Sequence, residues 1–292
     1  MSMTTVPVIY AENLPRRKEP AGNLATNFLK IIALFFMFID HSGKVLFNDM
    51  QEMRMLGRIA FPIYLWCMVV GFCRTRCVWK YMLRVFLVGL VSQPLYVLAL
   101  DMGAVRPILR NVLISPLANG GWASADDVLY RIFLYKPNIF LTLLLGLGAL
   151  WGIREKKYLS QIWAPAAAIC LATVLGADYG WKGVALLILL YAVRDSLSGI
   201  AAVMIAFMLF WGTSYRVTSS IFGMTFDVKE LPAFISSPLS AFMRMETYGL
   251  QALPVILWRF QRDIRMPRWL GYALYPGHLA VIIVLKIVFF GW

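Results

Sequence analysis

The stretch Phe28–Phe47, FLKIIALFFMFIDHSGKVLF, decides the fold class. It has the roughly 20 mostly apolar residues that an α-helix needs to cross the hydrocarbon core of a bilayer. Toward its end it carries Asp40 and His41, two ionisable side chains that are costly to place in lipid. The stretch therefore predicts a membrane-spanning helix that holds a functional group.

The rest of the chain has the same character. Of its 292 residues, 60% are hydrophobic and 15% are charged, and the mean hydropathy is +0.70. Further apolar runs lie at about 57–73, 80–100, 138–153, 159–176, 181–194, 197–213, 238–258 and 269–290. We therefore predict an all-α, polytopic integral membrane protein with about nine transmembrane helices, within a range of eight to ten. The weakest runs are 181–194 and 238–258, the latter because it contains Arg244 and Glu246.

The boundaries of the membrane domain follow from the same pattern. Residues 1–27 are polar and contain no apolar run, so we predict a flexible cytosolic tail. Residues 28–292 are predicted to form a single transmembrane domain. The long links 101–137 and 214–237 would then face the outside. An interfacial helix and a solvated loop are both open for the first of them.

The net charge of +13 reflects topology better than nucleic-acid binding. The basic residues cluster at the ends of apolar runs, and those of the predicted cytosolic loops are Arg74, Arg76, Lys80, Arg154, Lys156, Lys157, Arg194, Arg259, Arg262, Arg265 and Arg268. This bias predicts a cytosolic amino terminus and no nucleic-acid partner. The four cysteines form no CxxC pair and have no histidine at metal-ligand spacing, so we predict no metal site.

The two histidines, His41 and His278, both lie inside apolar runs. Because histidine exchanges a proton near neutral pH, each is a candidate functional residue. In the alternative interpretation, one or both imidazoles are neutral, bond to a neighbouring backbone carbonyl and serve only helix packing. Successive helical side chains diverge by roughly 100°, so Asp40 should face a neighbouring helix instead of His41. Arg58 is its nearest cationic candidate, unless that side chain is an interfacial anchor that reaches lipid headgroups.

On this topology several polar residues fall at similar depths. Those at the outer ends of spans are Asp40, His41, Arg58, Asn138, Asp178 and Tyr179, while Gln93, Tyr275 and His278 lie further along theirs. We expect a single polar pocket that opens outward. An intramembrane His and Asp fit either the proton relay of a transporter or the general base of a transferase. No convincing internal repeat is present, which favours the transferase.

Six strings in order along the chain resemble the TraX family. They are IIALFFMFIDHSGKVLF, MLGRIAFPIYLW, RVFLVGLVSQP, KPNIFLTLLLGLGA, ADYGWKGVALLIL and YALYPGHLAVIIV. That family is typified by the F-pilin acetylase of conjugative plasmids and is related to transmembrane acyltransferases. The resemblance implies a bacterial inner-membrane acyltransferase domain that transfers an acetyl group from acetyl-CoA. In the pilin case the acceptor is the amino-terminal amine of the mature subunit.

The resemblance also implies roles for particular residues. Its motif residues map to Asp40, His41, Arg58 and His278, which we take as catalytic, with His41 as the general base. The predicted substrate-binding residues are Asn138, Asp178, Tyr179, Tyr275 and Gln93. The predicted ligands of the acetyl-CoA phosphates are Arg84, Arg74, Arg76 and Lys80, for which the positive-inside bias is a competing explanation.

Three functions remain open at this stage. The leading one is acetyl transfer to a pilin or to a lipid or glycan hydroxyl. The alternative is a proton-coupled membrane transporter. A noncatalytic assembly subunit is the third, and it would tolerate replacement of His41 by a neutral residue.

Overall fold

The computed structural model describes residues 19–100, 129–130, 132–133, 136–218, 220–221, 224–225 and 231–290. Its helices are α1 Thr26–Val45, α2 Gln51–Gly57, α3 Ala60–Arg74, α4 Val78–Leu100, α5 Ile139–Glu155, α6 Ser160–Val174, α7 Gly180–Ala192, α8 Leu197–Gly212, α9 Ala233–Phe242, α10 Leu253–Leu257 and α11 Arg268–Phe290. Short 3₁₀ helices span Lys157–Leu159 and Met245–Ala252. A pair of two-residue antiparallel strands is also present, β1 Ser220–Ile221 and β2 Met224–Thr225. The all-α prediction is confirmed.

Three helical stretches in the described ranges are long and apolar enough to cross a membrane. They are Gln51–Arg74, which joins α2 and α3, Val78–Leu100 and Trp269–Phe290. Helix α1 is 20 residues long but carries Lys30, Asp40 and Lys44. The membrane character of the chain is thus clear, while the count of nine spans stays a prediction.

Most predicted apolar runs coincide with helices to within a few residues, and 238–258 is the exception. The chain there leaves α9 at Phe242, passes through the 3₁₀ helix Met245–Ala252 and enters α10. The segment is not one continuous helix, because Arg244 and Glu246 interrupt the apolar run, and the Glu246 carboxylate forms an ion pair with Arg58. The link 101–137 lies largely outside the described residues, so its predicted interfacial helix is not described either.

Helix α3 forms the centre of the bundle. It is free of charge from Ala60 to Cys73, and the side chains of Ile63, Trp66 and Phe72 are fully buried. Helices α1, α7 and α10 and the 3₁₀ helix Met245–Ala252 pack around it, and α4 and α11 pack on α1. Helices α5, α6 and α7 form a second group. In lipid, such close packing, instead of exclusion from water, holds helices together.

The segment 19–25, which falls within the predicted tail 1–27, is anchored to the bundle. The backbone N–H of Asn23 donates to the Ile256 carbonyl (2.7 Å), and its side-chain amide donates to the Val255 carbonyl (3.0 Å). In turn, the Trp66 indole donates to the Asn23 carbonyl (2.7 Å). Asn23 is fully buried. The ordered domain therefore begins before residue 28, and residues 1–18 lie outside the described ranges.

Candidate functional site

A polar cavity of about 580 Å³ lies where the end of α1 meets α2, the start of α7 and the end of α8. Its polar and aromatic lining includes Asp40, His41, Lys44, Arg54, Arg58, Tyr96, Asp178, Tyr179, Trp181, Lys182, Trp211, Ser214, Tyr215 and Glu246. We call it the polar cavity. It brings together five of the residues expected to share one pocket: Asp40, His41, Arg58, Asp178 and Tyr179.

Arg58 is the centre of a charged cluster in the polar cavity. One guanidinium nitrogen donates to Glu246 at 3.1 Å, and the other lies 3.5 Å from Asp40 Oδ1. The Arg58, Glu246 and Asp40 side chains are only 11%, 6% and 17% exposed, so removal of one partner would leave a costly unpaired charge. The Arg54 side chain flanks Asp40 at 3.9 Å. The expected pairing of Asp40 with Arg58 is therefore confirmed.

Glu246 is the member of this cluster that sequence reasoning did not assign to the site. The sequence did mark Glu246 as an acidic residue within an otherwise apolar run, but we took it only as evidence against a span.

Gly57 in α2 allows α1 and α2 to approach each other closely beside the cluster, because a Cβ at this position would overlap the Cβ of Asp40. The close approach of α1 and α2 that holds Asp40 near Arg58 thus requires glycine.

The two histidines are in direct contact. Nδ1 of His41 and Nε2 of His278 are 2.9 Å apart, and the rings stack at an interplanar angle of 17°. The edge of His278 also meets Tyr275 in a T-shaped contact at 5.0 Å. His41 lines the polar cavity, whereas His278 lies behind it. Because Nδ1 of His41 contacts His278, Nε2 is the ring nitrogen of His41 that is available to a ligand in the polar cavity.

Asp178 and Tyr179 lie in the connection between α6 and α7. The Tyr96 hydroxyl donates to Asp178 Oδ1 at 3.3 Å. The Tyr179 ring stacks on Phe61 with 3.7 Å between centroids and meets Trp211 edge-on. The carboxylate and the phenol are thereby held in the lining of the polar cavity and the constriction, together with His41. Tyr96 was not identified from sequence, because a tyrosine in an apolar run has no distinguishing pattern.

A second cavity, of about 420 Å³, lies toward the other end of the bundle. We call it the basal cavity, since it reaches Thr26 and Asn27 at the start of α1 and Thr75 after α3. Along α1 its lining extends to Met37, a distance of about 16 Å at the helical rise of 1.5 Å per residue. The cavity is therefore elongated along the bundle.

A small space of about 20 Å³, which we call the constriction, lies between the two cavities. It shares Met37, Tyr64, Ile139 and Tyr275 with the basal cavity, and Asp40, His41, Asp178 and Tyr179 with the polar cavity. A space of this size accommodates about one water molecule. His41 therefore lies at the junction between two cavities that approach it from opposite ends of the bundle.

Asn138 and Gln93, which we predicted as substrate-binding residues, line none of these spaces. The Asn138 side chain caps α5 by accepting from the Phe140 N–H (3.0 Å) and donates to the Gly89 carbonyl (2.8 Å). Gln93 accepts from the Asn138 N–H (2.8 Å) and donates to the Ile132 carbonyl (2.8 Å). Both side chains are satisfied by backbone groups, so their role is structural: they join α4 to the start of α5.

The four residues predicted to bind the acetyl-CoA phosphates do not share one site. All four are exposed, but only Arg84 lines the basal cavity, and Arg74, Arg76 and Lys80 lie outside it. Lys30 of α1, which we did not predict, lines the cavity together with Arg84. Within the described ranges, no group of His, Cys, Asp or Glu side chains could hold a metal ion.

A bundle of apolar helices with a buried ion cluster and a histidine pair between two cavities defines a helical membrane protein with a polar centre. The family model described as "TraX protein" matches residues 25–286, and the chain belongs to this family. The resemblance found in the six strings is confirmed. The chain is 24% identical over 265 residues to the "Probable fimbrial assembly protein FimC, serogroup H1" of Dichelobacter nodosus, covering 87% of this chain and 92% of that protein. No solved structure matches the chain.

Proposed function

We propose that this chain is a membrane acetyltransferase that moves an acetyl group from acetyl-CoA to an acceptor on the opposite side of the membrane. The observation that carries the proposal is the junction of the basal and polar cavities at His41. A donor and an acceptor that enter from opposite ends could meet there without either crossing the bundle. Membership of the TraX family supports the same class of reaction.

The orientation we propose places the amino terminus in the cytosol and the protein in the inner membrane of a bacterium. It rests on the excess of lysine and arginine in the loops on that side. The basal cavity reaches the start of α1 and would then open to the cytosol, where acetyl-CoA is made. The polar cavity would open to the outside, with about nine spans surrounding the two.

The reaction at the junction can be written for an amine acceptor. The amine nitrogen attacks the thioester carbonyl carbon, Nε2 of His41 takes the amine proton, and a carbon–nitrogen bond forms as the carbon–sulfur bond breaks. The departing CoA thiolate then takes that proton from His41. A positioned base contributes about 10²- to 10⁴-fold. The hydroxyls of Tyr179 and Tyr275, which both line the constriction, are the donors we assign to the developing oxyanion.

His278 is proposed as a positioning residue. If Nδ1–H of His41 donates to Nε2 of His278, the lone pair of His41 is held on Nε2, which is the nitrogen that must accept the proton. The ion pair of Asp40 and Arg58 would stabilise the lining of the polar cavity beside His41, and the Asp178 carboxylate would orient the acceptor. The four residues predicted as catalytic are thus retained, with His41 as the base and His278, Asp40 and Arg58 as positioning residues.

The acceptor we propose is the amino terminus of a pilin subunit. The relative from Dichelobacter nodosus is named as a fimbrial assembly protein, which supports a substrate from a pilus. A pilin whose amino terminus lies near the outer surface of the membrane would meet the polar cavity there. A lipid or glycan hydroxyl would use the same base and the same cavity, and the experiment below separates these acceptors.

The test is transfer of labelled acetyl from acetyl-CoA by the full-length protein in nanodiscs, with pilin, lipid and glycan fractions as acceptors. We expect label in the pilin fraction with wild type and none with His41→Ala. Ser42→Ala is the matched control, because Ser42 is the buried neighbour that lines none of the three spaces, and it should retain transfer. Size-exclusion profiles establish that each variant is folded.

Other outcomes would change the proposal in defined ways. Label in the lipid or glycan fraction would replace the pilin acceptor and leave the transferase intact. Full transfer by His41→Ala would refute the general base. Absence of both CoA release and label, with folded protein, would refute the transferase. The proton-coupled transporter would then be tested by proton flux in sealed vesicles, since a cavity on each side of a histidine pair also suits a proton relay.

The positioning role of His278 has its own test. His278→Gln keeps an acceptor oxygen near the place of Nε2, whereas His278→Leu removes it. We expect His278→Leu to lower kcat by about 10²-fold or more with little change in KM, and His278→Gln to recover part of it. Equal loss in both variants together with loss of folding would show that the contact serves packing alone.

A further inference from the structure

The charged side chains that line the basal cavity are all of one sign. Among the described residues that line it, Lys30 and Arg84 are cationic and none is acidic. In the described part of the chain, neither side chain forms an ion pair with a carboxylate, in contrast to Arg58, which contacts two. Two cations that share a cavity without a counter-charge are the arrangement expected of an anion site.

The carboxylate beside the start of α1, that of Asp263, already has partners. The Asp263 carboxylate accepts from the backbone N–H groups of Asn27 (3.1 Å) and Phe28 (3.0 Å), and thereby caps α1. It also accepts from the Ile264 N–H at 2.9 Å. This leaves Lys30, one turn into α1, facing the cavity, where its Nζ lies near the open space beside Gly271.

We propose that Lys30 and Arg84 bind the phosphate groups of the CoA part of the donor, an inference that rests on the acetyltransferase function. From Lys30 to Met37 at the constriction is about 10 Å along α1. Phosphates held by Lys30 and Arg84 would therefore direct the extended pantetheine arm along the cavity toward His41. Lys30 is thus added to Arg84 as a donor ligand, and the exposed Arg74, Arg76 and Lys80 are left to topology.

The test compares two donors that share the acetyl-pantetheine arm and differ in the nucleotide with its phosphates. Acetyl-CoA carries the nucleotide and its phosphates, whereas acetyl-pantetheine carries neither. We expect Lys30→Met and Arg84→Met each to raise KM for acetyl-CoA by about 10-fold, as for loss of one charge-assisted contact, with KM for acetyl-pantetheine unchanged. Lys30→Arg, which keeps the charge, should restore most of the affinity for acetyl-CoA.

Two further arms fix the source of the phosphate. Adenosine 3′,5′-diphosphate should inhibit wild type and inhibit Lys30→Met about 10-fold more weakly, in nanodiscs of phosphatidylcholine alone. An effect of Lys30→Met that appears only in nanodiscs containing phosphatidylglycerol would show that the cations bind lipid headgroups, and would overturn the proposal. Lys157→Met, on an exposed turn between α5 and α6, is the control for general loss of positive charge and should leave KM for both donors unchanged.

The remaining outcomes distinguish failure of the phosphate site from failure of the proposed acetyltransferase function. Equal losses with both donors would show that Lys30 and Arg84 act on the fold or on the thioester, and would overturn the phosphate site while leaving the transferase in place. A loss with Lys80→Met as large as with Lys30→Met would show that surface charge, instead of the cavity, attracts the donor. Failure of wild type to use either donor would overturn the transferase and the phosphate site together.

Discussion

Replacement of Arg58 by methionine would remove the guanidinium that Glu246 and Asp40 share. Arg58 contacts Glu246 at 3.1 Å and Asp40 at 3.5 Å, and the Glu246 side chain is only 6% exposed. Asp40 would still have Arg54 at 3.9 Å, so most of the penalty falls on Glu246. Since loss of one partner of a buried ion pair costs about 3–5 kcal/mol, we expect Arg58→Met to lower the free energy of unfolding by that amount.

A double-mutant cycle measures the pair itself. The proteins are wild type, Arg58→Met, Glu246→Met and the double variant, and the free energy of unfolding is measured in mixed micelles. Replacement of both partners by apolar groups of similar volume is often close to neutral. The double variant should therefore be more stable than the sum of the single losses predicts, by about 2–3 kcal/mol.

Additivity of the two single losses to within about 0.5 kcal/mol would refute this reasoning, because it would mean that Arg58 and Glu246 do not interact. Asp195→Asn is the matched control. Its carboxylate pairs with Arg194 at 3.8 Å but is 42% exposed, so its loss should cost less than about 1 kcal/mol. A loss as large as that of Arg58→Met would show that charge removal in general destabilises the protein.

Three other substitutions test separate parts of the structure. Gly57→Ala would force α1 and α2 apart at Asp40 and should cost about 1–3 kcal/mol of stability, measured by thermal unfolding, together with most of the transfer activity. Asn138→Ala would remove the side-chain cap of α5 and the bond from the side-chain amide to the Gly89 carbonyl, and should lower stability by about 1–3 kcal/mol while KM for acetyl-CoA stays unchanged. Asn23→Ala would remove the side-chain bonds to the Val255 carbonyl and the Ala25 N–H, so it should cost about 1–3 kcal/mol and expose the segment around it to limited proteolysis, whereas unchanged cleavage would contradict its anchoring role.

Much of the helix layout could be predicted from sequence, because long uncharged runs have few alternatives in a bilayer. The runs near α1, α4 and α11 were placed to within a few residues. The run 238–258 does not form one continuous helix, although its mean composition is apolar, since Glu246 belongs to a buried charged cluster and Arg244 donates to the Gly212 carbonyl. Composition averages over a segment and does not show that one carboxylate within it has a partner almost 190 residues away along the chain.

The part of the site that depends on local helix geometry could be predicted from sequence. The angle between successive helical residues directs Asp40 away from His41 and toward a neighbouring helix, and Arg58 was the nearest cationic candidate there. The contact between His41 and His278 joins opposite ends of the sequence, so no spacing rule could have found it. Asn138 was assigned to a substrate because a buried polar residue looks the same in sequence whether it meets a ligand or a backbone N–H group. Lys30 was passed over because a lysine near the start of a span is expected on topological grounds alone.

The constriction between the two cavities has an electrical consequence. If water fills both cavities, the membrane potential falls mainly across the short space beside Tyr64 and His41, instead of across the full thickness of the bilayer. One elementary charge moved through a potential of 100 mV gains or loses about 2.3 kcal/mol. A proton that passes between acceptor, His41 and the departing thiolate would cross much of that field, so the rate of transfer should change with the voltage applied across sealed vesicles.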